Sequence, residues 1–141
     1  MRTSELIIIG LVATSLAVGG VFAVVLSPPP NPCAGATGAV LSFTIIANSD
    51  GYNGSEYHDG PWPVVNVQRC DTVVFNVINA DTGTHGFAVT SYSNAGLELV
   101  GQDQQKLQFQ ASRIGQFRIY STYCSSPTAH KFMVNGLLNV A

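Results

Sequence analysis

The run Thr72-Val73-Val74-Phe75-Asn76-Val77-Ile78 decides the fold. It is rich in β-branched residues, carries no glycine or proline, and is bounded by Arg69-Cys70-Asp71 before and Asn79-Ala80-Asp81 after. β-Branched and aromatic side chains fit a pleated surface, so the run reads as a strand. Working outward, similar short runs recur: Val40–Ala47, Val64–Val67, Phe87–Val89, Lys106–Ala111, Gln116–Tyr120 and Leu137–Val140. From Leu107 the residues alternate apolar and polar, the period of a half-buried strand. Turn-forming clusters such as Asn48-Ser49-Asp50-Gly51-Tyr52-Asn53-Gly54 separate the runs, and no long 3.6-residue period follows residue 30. Many short strands between turns predict an all-β antiparallel sandwich or barrel in one domain.

The N-terminal part differs. Residues 6–25 contain no charge and span about 30 Å as a helix, the thickness of a bilayer core. The run exceeds a signal-peptide core and no small-x-small cleavage site follows it, so it is expected to be a retained anchor. Gly10, Gly19 and Gly20 would let a neighbouring helix approach, although glycine is ordinary in membrane helices. Arg2 is the sole basic residue before the run and Arg69 the next after it, which favours N-terminus in and domain out. Ser27-Pro28-Pro29-Pro30-Asn31-Pro32 is a stiff spacer. The expected organisation is an anchor over residues 1–27, a spacer over 28–38 and a sandwich over 39–141, single-pass in the cell membrane with the sandwich on the extracytoplasmic side.

Hydrophobic residues make up 46% of the chain and charged ones 10%, which excludes a disordered protein. A net charge of −2 supplies no basic field, so no nucleic-acid partner is expected. There is no nucleophile elbow, phosphate loop or carboxylate pair to support hydrolase or transferase chemistry. Asn53-Gly54-Ser55 is an N-glycosylation triplet, of a kind common by chance.

Chemistry concentrates in Tyr123-Cys124-Ser125-Ser126-Pro127-Thr128-Ala129-His130-Lys131-Phe132-Met133, which carries a thiol, an imidazole and a thioether on one loop before the last strand. A second imidazole, His85, lies in Asp81-Thr82-Gly83-Thr84-His85-Gly86-Phe87 at the end of an earlier strand. A sandwich gathers loops from different strands at one end. Two His, one Cys and a weak Met form the ligand set of a blue-copper electron-transfer site, so His85, Cys124, His130 and Met133 are the candidate metal ligands. Taken singly, each has a plainer reading: a satisfied polar His, an inert Cys, a core-filling Met. His58 reads as a surface-loop residue. Tyr120, Tyr123 and Phe132 either line a site or fill the core, the latter being the favoured expectation, and Trp62 either sits near an electron entry patch or, the favoured expectation, is a buried plug beside Pro61 and Pro63.

The segments Trp62–Val67, Asp71–Phe75 and Thr84–Val89, with Gly115–Tyr120 followed by Cys124, His130, Met133 and Gly136, resemble subunit II of haem-copper terminal oxidases. The likeness covers most of residues 40–140 and is greatest to the archaeal and short single-helix types. It implies a cupredoxin-like Greek-key β-sandwich on one N-terminal transmembrane helix. It also implies a place in a respiratory electron-transfer complex beside a haem-copper oxidase catalytic subunit and other membrane subunits, as a non-catalytic component. The family's binuclear copper loop reads Cys, three residues, Cys, three residues, His, two residues, Met. Here His130 and Met133 keep their spacing but Cys124 stands alone, so two sulfur-bridged copper ions are not expected. One copper ion, or none as in quinol-oxidising relatives that have lost the centre, remains. The alternative is a membrane-anchored mononuclear blue copper carrier. In a cupredoxin-like topology the first strand and the Thr72 strand both start at the end opposite the metal. Cys33 and Cys70 are therefore expected to form a disulfide, which fits an oxidising compartment and leaves Cys124 as the odd thiol.

Overall fold

Alternation along Thr72–Asn79 puts Val73, Phe75 and Val77 on one face, and all three are fully buried in the computed structural model. The structure describes residues 30–123 and 127–141. The expected membrane helix over residues 6–25 lies outside them, and among the described residues no helix is long and apolar enough to cross a membrane. Residues Pro32–Ala141 form one compact unit.

That unit is a two-sheet sandwich. One sheet has the order β2 (Gly51–Tyr52), β1 (Val40–Asn48), β4 (Thr72–Asn79), β7 (Gln104–Gln110). The other runs β3 (Val64–Val67), β9 (Gly136–Val140), β8 (Gly115–Tyr120), β5 (His85–Val89), β6 (Ser93–Leu99). Two pairings are parallel, β1 with β4 and β3 with β9, and the rest are antiparallel. The core between the sheets is apolar and aromatic, with Phe75 and Phe87 meeting edge to face across it at 5.2 Å.

All seven predicted strands are present. Two further strands are not evident in the sequence pattern. β6 contains Asn94 and Gly96, which interrupt any hydrophobic period, and is held as a strand by pairing with the fully buried β5. Gly96 has φ +71° there, and the register shifts between Phe87 and Val89. β2 spans only two residues and closes the turn after β1.

The parallel pairing fixes direction. β1 and β4 start together, with Val40 opposite Thr72, and both run toward the end where β5 begins at His85. At the starting end Cys33 and Cys70 form the expected disulfide, with Cα atoms 5.4 Å apart. Gly38 passes so close to this turn that a Cβ would sit 2.1 Å from the Cys70 carbonyl oxygen.

Asp71 ties the same end together. It is buried, its Oδ1 accepts from the Ala39 amide and its Oδ2 from the Gln68 amide, both at 2.8 Å. Its own carbonyl accepts from the Ala111 amide. Hydrogen bonds to an ionised acceptor each contribute more than neutral ones, and losing this carboxylate would strand two amide donors. Asp71→Ala is therefore expected to lower unfolding free energy by about 2–3 kcal/mol in urea titrations. A loss below about 0.5 kcal/mol would show that water replaces the carboxylate.

Candidate metal centre

At the opposite end, three loops meet. The first joins β4 to β5. Asn79 ends β4 with its side chain buried, and its Nδ2 donates to the carbonyls of Gly83, Leu99 and Val100 at 2.6, 3.0 and 3.0 Å. Its Oδ1 accepts from the Asp81 amide. Asp81 in turn uses Oδ1 to accept from the Gly83 amide at 2.8 Å and Oδ2 to meet His85 Nε2 at 2.8 Å. His85 is only 1% exposed, at the first position of β5. A carboxylate only accepts, so in this contact Nε2 carries the hydrogen.

The second loop joins β8 to β9. Its ends are fastened at Ser121, whose amide donates to the Met133 carbonyl at 2.7 Å. Ser121 is buried, and its Oγ accepts from the Gly86 amide at 3.1 Å. The Gly86 amide also donates to the Tyr123 carbonyl. The strand that begins at His85 is thus docked on the residues leading into position 124. Only glycine allows this approach: a Cβ on Gly86 would lie 2.6 Å from the Tyr123 nitrogen and 2.8 Å from that of Thr122. The loop leaves through a short helix, α1 (Pro127–His130), and the Met133 amide donates to the His130 carbonyl at 2.9 Å.

The third loop follows β2. Tyr52 is fully buried, and its hydroxyl donates to the Gly86 carbonyl. A 3₁₀ turn at Ser55–Tyr57 places the Ser55 hydroxyl against the Phe132 carbonyl. At exposed Tyr57, the charge of Asp50 first, then that of Glu56, raises the phenol pKa above its usual value.

Of the four candidate ligands, His85, His130 and Met133 all lie at this end. His130 is half-buried, and Met133 is fully buried in the apolar core. Cys124 lies outside the described residues. Among the described residues no three of His, Cys, Asp and Glu are grouped to hold a metal ion. Asp81, Asn79, Ser121 and Gly86 were not singled out by sequence. The one available signal was the position of Asp81, four residues before His85, where an acidic side chain can reach an imidazole nitrogen.

The aromatic residues differ from expectation. Tyr123 is 51% exposed, and Tyr120 and Phe132 are half-buried, with Lys131 Nζ 4.5 Å from the Phe132 ring centre. They border the loop because the Ser121–Met133 closure turns the adjoining residues outward from the core. Trp62 is no plug. Its Nε1 donates to the Asn53 carbonyl and its amide to the Asn135 carbonyl, so it bridges two loops at the rim. His58 is exposed as expected but stacks on Trp62 at 3.8 Å. The pair forms one wall of a cleft of about 200 Å³ that Glu56, Lys131, Phe132 and Asn135 also line. Asn53 itself closes the turn after β1, accepting from the Ile46 amide and donating to the Thr44 carbonyl.

No protein-family model and no curated protein matches the chain. Solved structures do. One is copper nitrite reductase from Nitrosomonas europaea, with TM-score 0.55 and 20% identity over 72% of this chain. The match covers 41% of the reductase, so this chain spans less than half of that protein's length. Another is dithionite-reduced auracyanin from the photosynthetic bacterium Roseiflexus castenholzii, with TM-score 0.52 and 17% identity over 74% of this chain and 99% of auracyanin. At these identities the likeness concerns the fold, and it makes the sandwich of residues 32–141 a cupredoxin-like Greek-key domain.

Proposed function

We propose that this chain is a one-copper electron-transfer domain, with His85, Cys124 and His130 as strong ligands and Met133 as a weak one. The observation that carries the reading is the loop closure. The Ser121–Met133 bond fastens the loop bearing Cys124 and His130, and Gly86 docks the His85 strand against its entrance. The donor chemistry fits copper. With the carboxylate at Nε2, His85 would coordinate through Nδ1, and a thiolate with two imidazoles and a thioether suits both copper oxidation states. When bound, copper would supply a one-electron exchange between Cu(II) and Cu(I). The protein's part is to hold the donors on rigid backbone, keep water from a fully buried thioether and resist rearrangement between states.

One of the named neighbours is a copper nitrite reductase, which supports the reading. The Cys33–Cys70 disulfide supports an extracytoplasmic position, with residues 6–25 as the tether. A second reading, a subunit II-like partner of a haem-copper oxidase catalytic subunit, is favoured by the sequence likeness over Trp62–Val89.

The test is copper per chain on detergent-purified protein, with an absorption spectrum in the oxidised state. The expected result is about one copper and an intense visible thiolate-to-copper band that Cys124→Ser abolishes. No copper in the wild-type chain, or two per chain, would overturn the reading. Haem co-purifying with the one-copper protein would favour the oxidase-subunit version.

A further inference from the structure

We infer that Asp81 is a positioning residue for His85, locking the imidazole in the tautomer that coordinates through Nδ1; the metal side of this inference rests on the one-copper reading above. The carboxylate is itself immobilised. Its Oδ1 is committed to the Gly83 amide, and its backbone amide to Asn79 Oδ1. From the loop between β6 and β7, the Gln102 side chain donates to the Ala80 and Asp81 carbonyls, and the Gln102 amide also donates to Asp81. Asn79 then fastens the turn to Leu99 and Val100. Only Oδ2 remains to meet the ring, and it does so at 2.8 Å. His85 is 1% exposed while the Asp81 side chain is 30% exposed. The carboxylate therefore reaches inward from the rim to an enclosed imidazole.

This arrangement does two things. It fixes the ring's rotation and hydrogen placement before any metal arrives, and it makes the imidazole a better donor by placing negative charge behind it. Metal-ligating histidines with such a partner typically lose about 10–100-fold in metal affinity when the partner is removed.

The test compares the full-length wild-type chain with Asp81→Ala and Asp81→Asn. In the metal-free proteins at about pH 8, where an ordinary imidazole is neutral, long-range ¹H–¹⁵N NMR reads the His85 tautomer directly. The wild type is expected to show Nε2–H. Asp81→Ala and Asp81→Asn are both expected to lose that preference, because an amide has one oxygen and the Gly83 amide already claims it. Copper titration with a competing chelator should then give affinities about 10–100-fold lower for both variants. An Nδ1–H wild type, or an Asp81→Ala protein with unchanged tautomer, overturns the inference whatever the metal does. Unchanged copper affinity in Asp81→Ala overturns its metal part. A wild-type chain that holds the tautomer through Asp81 yet binds no copper overturns the one-copper reading and leaves the carboxylate–imidazole lock standing.

Discussion

Replacing Cys33 and Cys70 together by alanine is expected to cost about 3–4 kcal/mol of stability. The bond is separated by 37 residues in sequence, and cross-linking a loop of that length removes an entropy worth about this much from the unfolded chain. Both cysteines are buried, and the bond joins the segment before β1 to the turn before β4. Those strands form the long parallel pair running from Val40 opposite Thr72 to Ala47 opposite Asn79. Parallel strands need a long connection, so their register relies on contacts at the strand ends more than a hairpin's does. At roughly 4 °C per kcal/mol for a domain of this size, the melting temperature should fall by about 12–16 °C. Calorimetry of the double variant, set beside wild type with and without reductant, checks this. A fall under about 3 °C would mean that Asp71 and the strand pairing hold this end without the bond.

The second large effect is expected at Phe75. Its ring is fully buried and lies within 5.8 Å of Phe43, 5.2 Å of Phe87 and 6.1 Å of Phe109, ring centre to centre. Phe43 and Phe109 flank it in its own sheet, and Phe87 faces it from the other, so one side chain joins three strands and both layers. Phe75→Ala removes that apolar area and leaves a void that aromatic neighbours on fixed strands fill poorly. About 3–5 kcal/mol should be lost, against a total of about 5–15 kcal/mol for a domain of this kind. Phe75→Leu should lose distinctly less. Guanidinium unfolding midpoints at unchanged slope decide it, and a loss under about 1 kcal/mol for Phe75→Ala would show that the core closes over the gap.

Much of the fold was legible because the central strands carry their own signal. Val73, Phe75 and Val77 mark β4, and the alternation from Leu107 marks β7. β6 was not legible, since Asn94, Gly96 and Glu98 hide a strand that exists through its neighbour. The disulfide followed from the cupredoxin-like topology that the resemblance implied, with the first strand and the Thr72 strand starting at one end, and the structure pairs those two strands in parallel. The candidate site was legible as a set of donor types at one end of a sandwich. What holds those donors was not. The Asp81 carboxylate, the Asn79 amide and the Ser121 hydroxyl act through contacts of geometry, and such residues are ordinary turn formers in a string of letters. The aromatic residues around the loop misled for a related reason: hydrophobicity alone cannot tell a core ring from one at a rim, as Trp62 and Tyr123 demonstrate.

The described chain enters and leaves the sandwich at the same place. Cys33 is bonded to Cys70, the Arg69 amide donates to the Ala141 carbonyl, and the Ala141 amide donates to the Val67 carbonyl. Entry and exit therefore flank one short segment, at the end remote from His85. A reporter protein or affinity handle fused after Ala141 would leave the three loops around His85 untouched. A short linker from Ala141 back to residue 32 would make a circular permutant, whose new ends could be opened in the exposed turn at Arg113-Ile114 near the same end.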